Sequence, residues 1–158
     1  MSHIKKLLAA ILKKALFVLA FAFIAIQFIR PSRNSNISGK VFSADISNTY
    51  SIPKNIYALL LNSCYDCHSN NTNYPWYSYI QPINWQMESH IKKGKKKLNF
   101  SEFGDLSSRR QNSKLREIEV SINDSTMPMS VYTLMHRKAR LSQEDKESLI
   151  NWIELKVK

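Results

Sequence analysis

The sequence predicts an all-α chain: one apolar helix at the N-terminus, followed by a small helical domain. Three observations carry this. Residues 15–29 are almost wholly apolar. Further along, apolar residues recur at helical spacing, as in Ile56, Leu59 and Leu60, and again in Leu115, Ile118 and Ile122. No stretch alternates apolar and polar residues in the manner of a half-buried strand.

The N-terminal segment, residues 1–31, reads as an uncleaved signal anchor and transmembrane helix. Ala15–Ile29 holds a single polar residue, Gln27. As a helix it spans roughly 22 Å, short of the roughly 30 Å hydrocarbon core. Extension back to Leu7 supplies the length, with Lys13 and Lys14 able to snorkel to the headgroups. Arg30 marks the interface, and Pro31 is expected to stop the helix. Ala20-Phe21-Ala22 has the small-residue pattern of a signal-peptide cleavage site, but it lies inside the apolar run. Residues 32–49 are rich in Ser and Asn and read as a polar linker. Residues 50–158 then form the domain.

Charge adds little. The formal net charge is +11, and residues 1–30 carry five basic residues and no acid, which leaves 18 basic against 12 acidic residues beyond them. This favours an acidic partner or an anionic membrane face. No nucleic-acid motif accompanies it, so nucleic acid is not an expected partner.

Within the domain, Pro53 suits the first turn of a helix that runs through Ile56 and Leu60 toward Cys64. A second helix is expected to end near Asn123. Ser142-Gln143-Glu144-Asp145 opens a last helix as a capping-box variant, with Leu149, Ile150, Trp152 and Ile153 as its buried stripe. That helix is expected to cross the first one and close the core.

The two cysteines of the chain stand three positions apart, in Cys64-Tyr65-Asp66-Cys67-His68. This is C-x-x-C-H, the attachment signature of c-type haem. Each thiol can form a thioether with one haem vinyl group, and His68 follows at once to ligate the iron. On a helix the three residues share one surface. A zinc site would need a second ligand pair at regular spacing. A redox dithiol would want its first cysteine at a helix N-terminus, whereas this motif follows an apolar helix. A single covalent haem c is therefore the expected cofactor.

The other face of the iron could be taken by Met87, His90, Met127, Met129, Met135 or His136. Met127 is the first choice, because Asn123 to Thr126 form a loop before it and Pro128 biases it toward an extended backbone. Met129 and His90 are held in reserve. The alternative for each methionine is core filling, and for each histidine a hydrogen bond to backbone or propionate. A methionine ligand would raise the reduction potential relative to a second histidine.

Tyr74-Pro75-Trp76-Tyr77, Tyr79, Ile80, Ile83 and Trp85 read mainly as core, with a wall around the macrocycle as the second possibility. Lys92 to Lys97, interrupted by Gly94, reads as a solvated surface that could also steer an acidic partner.

Through these residues the chain resembles the haem-binding domain family, small c-type-cytochrome-like proteins of Gram-negative bacteria. The resemblance begins with Ile26-Gln27-Phe28-Ile29-Arg30-Pro31 and runs through Cys64 to Asn70 and Tyr74 to Tyr77. It takes in Trp85, His90-Ile91, Gly94, Leu98 to Glu102, Met127-Pro128, Tyr132, His136, Leu141-Ser142 and Trp152, roughly residues 25–153. It implies a cytochrome c-like helical domain with Cys64, Cys67 and His68 as haem residues and Met127-Pro128 as the distal element. The family often has a second proline after this Met-Pro, where this chain has Met129. Because c-type haem is installed outside the cytoplasmic membrane, the resemblance implies a single-pass inner-membrane protein with its haem domain in the periplasm.

The expected function is one-electron transfer with an unidentified redox partner protein. The alternative is a haem sensor or peroxidase-like haem protein with an open distal site. A haem-free dithiol oxidoreductase is the third reading. No general base, nucleophile or substrate pocket is recognisable, so an enzyme assignment has no positive support.

Overall fold

The structure is a computed structural model that describes residues 2–36 and 42–157. Among these residues every regular element is helical. The chain divides into two compact units, Met1–Arg33 with Pro75–Ser89 and Asn34–Tyr74 with His90–Lys158.

The first unit is built on α1 (Ser2–Ile26), whose apolar residues are exposed along its length. Within it, His3–Ile26 is long and apolar enough to cross a membrane, about 36 Å for 24 residues. The helix stops at Ile26, earlier than the expected break at Arg30-Pro31, and the physical reason lies in Gln27. Its amide donates to the Phe23 carbonyl at 3.0 Å and to the Gln81 carbonyl at 3.3 Å, and accepts from the Gln81 amide at 2.9 Å. Gln81 and Trp85 both donate to the Ile29 carbonyl, at 3.0 and 2.9 Å. The unit also holds a short 3-10 turn, Trp76–Tyr79, and the first half of α5 (Ile83–Lys97).

The second unit contains α2 (Ile46–Thr49), α3 (Lys54–Ser63), α4 (Tyr65–His68), the rest of α5, α6 (Ser108–Asn123), α7 (Ser130–Met135) and α8 (Gln143–Glu154). Helical spacing delivers Ile56 and Leu60 of α3, Leu115 and Ile122 of α6, and Leu149, Trp152 and Ile153 of α8 to one core. Phe100 and Phe103, from a 3-10 stretch over Phe100–Asp105, complete it. Each such side chain contributes about 1.5–3 kcal/mol on burial. The α8 helix packs on both α3 and α6. Its start is the expected capping box: Asp145 N donates to Ser142 Oγ at 3.1 Å, and Ser142 N donates to Asp145 Oδ2 at 2.9 Å.

Two further expectations change. The linker reading of residues 32–49 fails over its last part, because Asp45 and Ile46 are buried and Ile46 joins the core. The reason is local: Asp45 caps α2 by accepting from Ser47 N at 2.9 Å and Ser47 Oγ at 2.7 Å, which turns Ile46 inward. Residues 37–41 of that linker lie outside the described residues. The aromatic run is core only in part, with Tyr74, Tyr77 and Ile80 half-buried. Trp76, Tyr79, Ile83 and Trp85 are exposed, whereas Ser78, Gln81 and Asn84 are buried.

Candidate functional site

The C-x-x-C-H segment begins where α3 ends. Cys64 is the C-cap of α3, its N–H bonded to the Leu60 carbonyl at 2.9 Å, and α4 follows as a single turn. Cys67 and His68 both donate backbone N–H groups to the Cys64 carbonyl, at 3.2 and 3.0 Å. The residues between the cysteines hold this turn from outside. Tyr65 OH donates to Asp45 Oδ1 at 2.8 Å and its ring stacks on Phe100 at 5.1 Å. Asp66 accepts from Tyr132 OH at 2.7 Å and from Asn73 N at 2.9 Å. Behind the turn, α5 passes so close that a Cβ at Gly94 would meet the Cys67 carbonyl oxygen at 2.6 Å. This accounts for a glycine inside a lysine-rich helix.

A cavity of about 270 Å³ opens beside the turn, and Cys64, His68 and Met127 all line it. Its walls are apolar, from Leu60, Phe100, Ile118, Ile122, Leu141 and Leu149. Met127 reaches it because α6 ends in a tight reversal. Ser125 takes a left-handed conformation, φ 54°, and the N–H groups of Thr126 and Met127 both bond to the Ser121 carbonyl, at 3.0 and 3.2 Å. Met127 itself is 38% exposed.

The electrostatics suit an uncharged ligand set. Burial lowers the pKa of His68, outweighing the Leu98 and Gly94 carbonyls that raise it, so the imidazole is held neutral. His68 Nδ1 lies 3.1 Å from the Leu98 carbonyl. With the proton on Nδ1, Nε2 carries the lone pair that a metal ion takes, the arrangement usual for ligating histidines. Burial pushes the Cys64 thiol up to about 12, with the neighbouring Cys67 adding to it. Burial and then the Asp66 carboxylate push Cys67 up to about 11. A reactive dithiol needs the opposite shift, so these values weigh against the third reading. Burial, then Asp45, raises the Tyr65 phenol, and burial, then the hydrogen bond to Asp66, raises that of Tyr132.

The surroundings of the motif also fit a haem. A histidine backed by a carbonyl shares an apolar cavity with a thioether sulfur, and Ser63 Oγ, in the same lining, is buried without a hydrogen-bond partner. Sequence reasoning missed Ser63, and it missed Lys97 and Lys114, which line the cavity and could face propionates. Lys114 pairs with Glu117 at 2.7 Å. The signal in Lys114 was its place one residue before Leu115 on an amphipathic helix. The lysine cluster itself divides: Lys97 lines the cavity, while Lys95 donates to Asn34 Oδ1 at 2.6 Å.

Other candidates fall elsewhere. Cys67, Met129, His90, Met135 and His136 are not among the lining residues, and Met87 belongs to the first unit. Met129 is the N-cap of α7. His90 sits in the 15-residue α5. His136 stacks on Tyr132 at 4.3 Å. The aromatic run supplies no wall to this cavity.

Helices alone among the described residues, with an apolar cavity beside a C-x-x-C-H turn, mark a small haem-holding domain. The chain belongs to the haem-binding domain family, whose model matches residues 21–155, and haem is the cofactor this membership supports. No curated protein and no solved structure matches the chain.

Proposed function

We propose that the protein is a membrane-tethered c-type cytochrome. Cys64 and Cys67 hold one haem covalently, His68 ligates the iron, and Met127 is the distal ligand. The observation that supports this reading best is the shared cavity of Cys64, His68 and Met127. Bound there, haem supplies a one-electron iron couple, tuned by its axial ligands, burial and hydrogen bonds. The Leu98 carbonyl orients His68, the hydrogen bonds to Asp45 and Asp66 fix the attachment turn, and the apolar walls exclude water. The anchor lies in the inner membrane and the haem domain in the periplasm. The protein carries electrons to or from a redox partner protein.

The test is the full chain produced with haem-maturation proteins. One haem should remain with the chain after denaturation and raise its mass accordingly, and Cys64→Ser/Cys67→Ser should abolish this. Haem that extracts freely into acidified solvent would overturn covalent attachment. The oxidised protein should show the weak far-red methionine–iron band, and Met127→Ala should remove it.

The exposure of Met127 favours a second reading, a displaceable ligand and a sensor or peroxidase-like site. Carbon monoxide separates the two: a closed electron-transfer site resists it in the reduced state, while a displaceable methionine lets it bind.

A further inference from the structure

The segment after Pro75 is built inside out. Ser78 and Gln81 are 0% and 1% exposed, while Trp76 and Tyr79 are 73% and 55% exposed. Ile83 and Trp85 are exposed as well, and Asn84 is buried. In water this arrangement is costly, because large apolar surface is left wet while polar groups must find partners inside. The buried polar groups have largely found them. Ser78 Oγ accepts from Arg33 at 3.2 Å, Asn84 donates to the Ser78 carbonyl, and the Gln81 side chain bonds to Ile29 and Trp85.

The position of the segment names its solvent. It belongs to the same compact unit as α1. Trp85 Nε1 donates to the Ile29 carbonyl at 2.9 Å, so its indole is one hydrogen bond from the last residue of the apolar run. Arg30 follows that residue, and the Arg33 guanidinium stands 4.0 Å over the Tyr79 ring. Indole and phenol rings prefer the headgroup layer, where an apolar body and a polar edge are both satisfied. Guanidinium groups suit the lipid phosphates.

We propose that Trp76, Tyr79 and Trp85 form a second membrane contact, seated in the lipid headgroup layer where α1 emerges. The span then carries its own aromatic collar, supplied by residues some fifty positions further along the chain. The proposal rests on the reading of α1 as a membrane span.

Both can be tested together. The full haem-loaded chain is placed in phosphatidylethanolamine–phosphatidylglycerol vesicles doped with lipids bearing a diazirine at glycerol depth or at the acyl-chain end, then irradiated and mapped by mass spectrometry. The expected result is acyl-end labelling on α1 and glycerol-depth labelling on residues 75–85, the latter lost in Trp76→Ser/Tyr79→Ser with α1 labelling unchanged. Labelling of α1 with none on residues 75–85 would overturn the collar and leave the anchor standing. Absence of label on α1 would overturn the anchor and the collar with it.

Discussion

The two units of this chain differ in where they put their large apolar side chains. In the second, Leu60, Phe103, Leu115 and Leu149 form the inside, joined by a few small polar groups and the hydrogen-bonded Asp45. In the first, Ser78, Gln81 and Asn84 are inside, while most of the apolar side chains of α1, and Trp76, Tyr79, Ile83 and Trp85, are outside. The hydrophobic effect is the same in both. On the reading proposed above, what differs is the medium each surface meets, and direction of burial then reports on environment where composition alone does not.

The comparison can be broken most directly by truncating one large side chain in each unit. Phe103→Ala should cost about 3–5 kcal/mol in denaturant unfolding, because the ring is fully buried. Trp76→Ala should cost no more than about 0.5 kcal/mol in the same experiment, as an exposed position. Equal losses would erase the distinction. Gly94→Ala comes next. The new methyl meets the Cys67 carbonyl, so about 1–3 kcal/mol should be lost, and the haem spectrum should shift with the displaced turn. Tyr132→Phe removes the hydrogen bond to Asp66 and should cost about 1 kcal/mol. The smallest effect is at the start of α8. Hydrogen bonds from Ser142 hold the Asp145 carboxyl below the usual carboxylate range. Its contribution is therefore complete above the unfolded pKa of about 3.9 and is lost as pH falls through the lower folded value. Asp145→Asn should flatten that acid-side slope in thermal melts.

Much of the second unit was legible because its signals are local and periodic. The apolar spacing of α3, α6 and α8 predicts their buried faces, and Ser142 with Asp145 marks the start of α8. The C-x-x-C-H motif predicts a haem without reference to any fold. Less legible was what depends on partners remote in sequence. Asp45 and Ile46 sit in a stretch whose average polarity reads as a spacer, yet one capping carboxylate suffices to fold it inward. Aromatic density predicts core at Trp76, Tyr79 and Trp85, yet the structure leaves all three exposed, because the turn through Ser78 and Gln81 buries the polar side chains instead. Ser63, Lys97 and Lys114 become visible as cavity residues only once three separate segments have come together.

Gly94 has a consequence for how this sequence can drift. Around it, Lys92, Lys93 and Lys96 are exposed and free to be exchanged for other polar residues over generations. Position 94 is not, because the backbone of Cys67 occupies the space any side chain would need. In descendants of this chain Lys92, Lys93 and Lys96 should change letter by letter around a glycine that stays.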